Sequence, residues 1–91
     1  MKSESYFSAV ETAITKYFSA YRPAPVDEEK DHIVSVAVSI LMLRDGIQSG
    51  GGFAQAVINN DLEGALNRAD STCRNYLDFL VYCKKYAFVK S

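Results

Sequence analysis

The sequence predicts an all-α fold: a small bundle of three longer helices and two short ones, in a single domain spanning residues 1–91. Three observations lead there. Apolar residues recur at three- and four-residue spacing in the first and last parts of the chain. The breakers Pro23, Pro25, Gly46 and Gly50–Gly52 fall between the periodic segments rather than within them. The one stretch with strand-like alternation would find no partner strand, and a lone strand is not stable.

The first helix is expected from Ser5 to Tyr21. Tyr6, Val10, Ala13, Ile14, Tyr17 and Tyr21 share a face that Phe7 and Phe18 widen, while Ser8, Glu11, Thr12, Thr15 and Ser19 fill the opposite one. Ser3 or Ser5 can cap it. Arg22-Pro23-Ala24-Pro25 ends it, because each proline pushes its predecessor out of the helical region.

The second segment, Asp27 to Arg44, reads two ways. Val34, Val36, Val38 and Ile40 alternate with small residues as a strand would, yet Ile33, Val36, Ala37, Ile40 and Leu41 fit a helix. The ends decide for helix. Asp27, Glu28 and Glu29 supply a cap and an acidic first turn, and Arg44-Asp45-Gly46 is a cation followed by a terminating glycine. Nearly apolar all round, this helix belongs at the centre, and its excess apolar surface predicts self-association.

Beyond the loop at residues 47–52, a short helix is expected from Phe53 to Asn59. Asn60 and Glu63 have the spacing of a capping box that opens the next helix, with Leu62, Ala65, Leu66 and Ala69 as its apolar stripe. Asp70 or Ser71 then caps a last helix running to Phe88. Cys73, Tyr76, Leu77, Leu80, Cys83 and Ala87 point inward, and Lys84, Lys85 and Lys90 suit its C-terminus.

Composition narrows the function. Apolar residues make up 48% of the 91 residues, enough to build one core. The net charge of -1 argues against a broad nucleic-acid footprint; a regulator of that kind would have only Arg68, Arg74, Lys84 and Lys85 to use. Glu4 and Glu11 interrupt the N-terminus, so no signal peptide is expected. The apolar run from Ile33 to Leu43 falls far short of the roughly 20 residues of a membrane span. Cys73 and Cys83, about 15 Å apart on one helix, cannot bridge each other and read as reduced thiols of a cytoplasmic protein.

Four features could carry chemistry. The loop Ser49, Gly50, Gly51, Gly52 and Phe53 exposes backbone amides ahead of a helix, where a phosphorylated small molecule or nucleotide could sit. It lacks the Gly-Lys-Ser/Thr of a P-loop and has no preceding strand, so punctuation between helices is the favoured reading. Glu29 and His32 have the spacing of half a carboxylate–histidine metal site, but there is no second histidine, and no metal or cofactor is expected. Cys73 or Cys83 could pair with His32 as a nucleophile, yet both lie on an apolar stripe, and no enzyme is expected. Tyr6, Tyr17, Tyr21, Tyr76, Tyr82 and Tyr86 are more tyrosines than one small core can take, which points to a protein interface on the outer helices at Tyr6, Tyr17, Tyr21, Tyr82 and Tyr86.

Between Gly46 and Tyr82 the chain carries Gly50-Gly51-Gly52-Phe53, Ala56-Val57-Ile58, Asn60-Asp61-Leu62, Arg68-Ala69-Asp70, and Leu77 with Phe79 and Tyr82. This pattern resembles that of small helical proteins encoded by phages and prophages, with a glycine turn one residue longer and without the proline often found there. The resemblance covers under half the chain and implies a mobile-element origin and a bacterial host cell, with no activity attached. The combined expectation is a non-enzymatic interaction protein that binds a host or phage protein, as a counter-defence inhibitor would. A binder of phosphorylated ligands and a nucleic-acid-binding regulator are the alternatives.

Overall fold

The computed structural model describes residues 2–89, with the side chains of 4–89. Six helices follow in order: α1 (Lys2–Ala20), α2 (Asp27–Arg44), α3 (Gly52–Ile58), α4 (Leu62–Arg68), α5 (Ser71–Asn75) and α6 (Leu77–Tyr86). No strand occurs among the described residues, so the alternating valines of α2 are helical. The expected three longer helices are present, but the short ones number three because the last helix is split.

α1 begins earlier than its periodicity suggests, and Ser3 and Ser5 lie inside it rather than capping it. α2 has the expected bounds, but Val26 occupies the N-cap position and makes no side-chain bond. Asp27, Glu28 and Glu29 place negative charge on the first turn without capping it. Gly46 ends α2 as expected, with φ of 75°. Its amide donates to the Leu43 carbonyl at 3.1 Å and that of Ile47 to Met42 at 2.8 Å, the paired bonds of a Schellman cap.

The same device ends α3, with Asn60 at φ 61° in place of glycine. The Asn60 amide donates to Val57 at 3.2 Å and that of Asp61 to Ala56 at 2.8 Å. Asn60 is thus spent on ending α3, and the cap of α4 falls one residue later than the expected capping box. Asp61 Oδ1 accepts from the Gly64 amide at 3.0 Å. Of the expected stripe on α4, Ala65 and Ala69 are buried while Leu62 and Leu66 face solvent. A two-turn helix bordering one neighbour buries only its closest edge.

Asp70 caps α5 as expected, accepting from the Cys73 amide at 2.8 Å. The chain then breaks at Tyr76, at φ −116° and ψ 21°. Contacts from two other helices fix Tyr76 there. Its hydroxyl donates to Glu29 of α2 at 3.0 Å, its ring meets Phe18 of α1 edge-on, and the Arg22 guanidinium lies 4.5 Å above it. Tertiary contact overrides local propensity at this position. All six expected inward residues, Cys73, Tyr76, Leu77, Leu80, Cys83 and Ala87, are buried. Lys90 lies outside the described residues.

α2 is the central element, touched by α1, α3, α5 and α6. Its residues Ile33, Ile40 and Leu41 join Val10, Phe79, Leu80 and Cys83 as the most deeply buried side chains. The all-round apolar character of α2 is therefore satisfied within the chain. Val36, Met42 and Leu43 of the same helix remain partly buried.

Candidate functional site

Tyr6 and Tyr76 are spent in the core, and the other four tyrosines are not. Tyr21 and Tyr17 of the first helical segment continue into Tyr82 and Tyr86 of α6 as one ladder of rings, with centroids 5.0, 4.9 and 5.1 Å apart. The two ends of the ladder are 70% and 65% exposed, and Phe88 beside it is 80% exposed. Tilted rings at this spacing are mutually stabilising.

The ladder borders a groove of about 670 Å³ between α1 and α6, adjoining a second depression of about 580 Å³ at Lys16 and Tyr21. The two walls differ. Tyr82, Tyr86 and Phe88 make an aromatic wall, whereas Ser5, Ser8, Ala9, Thr12 and Ala13 make one of small side chains along α1, flanked by Glu4 and Lys16. Helical periodicity produces both, since small residues three and four apart share one strip of α1.

Tyr6 does not belong to this surface. It is 6% exposed, and its hydroxyl donates to Asp45 Oδ2 at 2.7 Å. Asp45 also accepts from Arg44 Nε at 2.8 Å, and Arg44 in turn donates to the carbonyls of Lys84 and Ala87 at the end of α6. Tyr6 is therefore a tie between α1, α2 and α6, an outcome periodicity could not separate from surface exposure. Tyr17 has a double role, as a ladder ring that also donates to Asp78 of α6. Arg22 closes the same corner, 3.1 Å from Asp78 and 2.9 Å from the Asn75 carbonyl.

In the glycine loop, Gly50 serves packing. Gly51 is the N-cap of α3 and Gly52 its first residue, and neither has a positive φ. A Cβ on Gly50 would lie 2.9 Å from Leu43 Cδ2 and 3.1 Å from the Ala54 Cβ, so this glycine permits close approach of the loop to α2. Gln55 donates to the Gly50 carbonyl at 2.9 Å. Ser49 is exposed, and Phe53 leans half-buried on the core. The position that suits a capping serine is Gly51, where a Cβ meets nothing within 4 Å, rather than Gly52, where it meets Arg68. Gly51→Ser is expected to stabilise by about 0.5–1 kcal/mol. Gly50→Ala should cost about 1–3 kcal/mol by overpacking. Urea titration of the two variants checks both signs.

The nucleophile pair considered from the sequence does come together. Cys73 Sγ lies 3.8 Å from His32 Nε2, and the same nitrogen is 2.7 Å from Asp70 Oδ2. The amide of Cys73 holds the Asp70 carboxyl below the usual range, so it is ionised and can only accept. His32 Nε2 therefore carries the proton toward Asp70 and cannot take one from the thiol. Burial, then the Asp70 carboxylate, push the Cys73 thiol up to about 12, and burial does the same to Cys83. Neither is an activated nucleophile. Glu29 is turned instead to Tyr76.

The basic residues are largely committed as well. Arg68 donates to Gly64, Arg74 to Leu66, and Lys84 to Val57, each at a backbone carbonyl, while Lys85 sits 5.9 Å from the Tyr86 ring. No helix of the described residues is long and apolar enough to cross a membrane. No protein-family model, curated protein or solved structure matches this chain.

Proposed function

We propose that this protein is a non-enzymatic interaction module of phage or prophage origin, and that it docks an amphipathic helix of a host or phage protein in the α1–α6 groove. The observation that supports this reading is the preformed ladder Tyr21–Tyr17–Tyr82–Tyr86 with its two ends open to solvent. Tyrosine offers large contact area with little conformational freedom to lose, which is why it recurs at interfaces. The opposite wall favours a helical occupant, because small side chains let a second helix approach closely. From Ser5 to Lys16 that wall runs about 17 Å, room for roughly three helical turns. The apolar face of such a helix would meet the rings, and its polar face would stay in water.

Tyr21 and Tyr86 are exposed enough to be changed without harm to the fold. If they are central to the interface, each truncation to alanine should cost about 2 kcal/mol or more, roughly 30-fold in affinity. Affinity capture from host lysate with wild type and with the Tyr21→Ala, Tyr86→Ala double variant reads this directly. The expected result is a captured protein that the double variant loses while its melting temperature stays. Equal capture by both would contradict the reading, as would a wild type whose groove is filled by a second copy in sedimentation.

A further inference from the structure

We propose that His32, Asp70 and Cys73 form a zinc site that clips α2 to the start of α5, with the fourth coordination position open to water. The three donors come from separate parts of the chain and converge only through folding: His32 from α2, Asp70 from the α4–α5 junction and Cys73 from the first turn of α5. Their ligand atoms lie within 4.8 Å of one another. Tetrahedral zinc with nitrogen, oxygen and sulfur donors sets these atoms about 3.3–3.7 Å apart. The observed 2.7 Å and 3.8 Å separations at His32 Nε2 need adjustments on the order of 1 Å or less, within reach of two exposed side chains.

The donor chemistry selects the cation. A thiolate disfavours magnesium and calcium, while imidazole, carboxylate and thiolate together suit zinc. One carboxylate and one thiolate balance the charge of the dication. The carboxylate is also oriented in advance. Its Oδ1 accepts from the Cys73 amide, which leaves Oδ2 facing the imidazole and the sulfur. On binding, the proton of Cys73 Sγ leaves to solvent, and that of His32 moves from Nε2 to Nδ1, freeing Nε2 as the ligand. The Cys73 sulfur is buried while His32 and Asp70 are open, so the metal would enter from the solvent side. The proposal is independent of the tyrosine groove.

Cobalt(II) and zinc added to the EDTA-treated protein test it. Cobalt should give a thiolate-to-metal charge-transfer band and intense visible bands of tetrahedral character, both removed by zinc. Cys73→Ser should abolish the charge-transfer band, and Cys83→Ser should retain it. His32→Gln, at an exposed position that leaves the fold intact, should weaken zinc binding by more than the ~10- to 100-fold typical of losing an outer-shell partner. Calorimetry in buffers of different ionisation enthalpy should show about one proton released near neutral pH. A charge-transfer band that survives Cys73→Ser, zinc affinity unchanged by His32→Gln, or no spectral change on adding cobalt would each overturn the proposal.

Discussion

Replacing Phe79 with alanine is expected to destabilise the protein by about 3–5 kcal/mol, against the ~5–15 kcal/mol total typical of a domain. Phe79 is fully buried where α6 meets α1 and α2, with the Phe18 ring at 5.1 Å and the Tyr17 ring at 5.7 Å. Removing it loses the transfer free energy of the ring and leaves a cavity between three helices that cannot all close on it. It also unseats Tyr17, the ring that joins the two halves of the ladder. Urea unfolding should show a lower midpoint with an unchanged slope. A loss below about 1 kcal/mol would mean that the aromatic cluster does not hold α1 to α6.

Stability should fall steeply as the solution is made alkaline. Burial raises the thiols of Cys73 and Cys83 to about 12, from about 8.5 in an unfolded chain. A raised folded-state value gives stability that is complete below the unfolded value and lost as the pH rises through the folded one. Between those limits the unfolded chain sheds both thiol protons and the folded chain keeps them. Each thiol then costs about 1.4 kcal/mol per pH unit, so about 4 kcal/mol is gone by pH 10. Above pH 10 three tyrosines add to the slope. Tyr17 is raised to about 12 by burial and its bond to Asp78, Tyr6 is raised mainly by its bond to Asp45, and Tyr76 is raised by burial and Glu29. Urea midpoints from pH 7 to 10, taken in EDTA so that no metal holds Cys73 as thiolate, should decline throughout. In Cys83→Ala the slope should halve. Stability that is flat to pH 10 would place both thiols in water.

Two helix ends were legible in the sequence because their signals are local. Gly46 and Asp70 act within one turn of themselves and could be read from spacing. The break at Tyr76 could not, because its causes are Glu29, Phe18 and Arg22, all more than forty residues away. Phe79 escaped the expected inward stripe because α6 is covered by α1, α2 and α3, which buries more than one face. Tyr6 and Tyr21 share the stripe read from the sequence, yet one is bonded to Asp45 and the other, just past the end of α1, is open. The His32–Asp70–Cys73 cluster was half visible. The sequence suggested His32 with a cysteine and read Asp70 only as a cap; the packing of α5 on α2 is what brings all three together.

The central claim is that the α1–α6 groove is where a protein partner sits. The most direct measurement is site-specific photo-crosslinking in host cells, with the reactive residue at position 86 in the groove and, separately, at position 48 in the exposed loop outside it. The account predicts a crosslink to one protein from position 86, mapping to a helical segment of that protein and absent from position 48. A partner that crosslinks from position 48 and leaves position 86 unlabelled would contradict it.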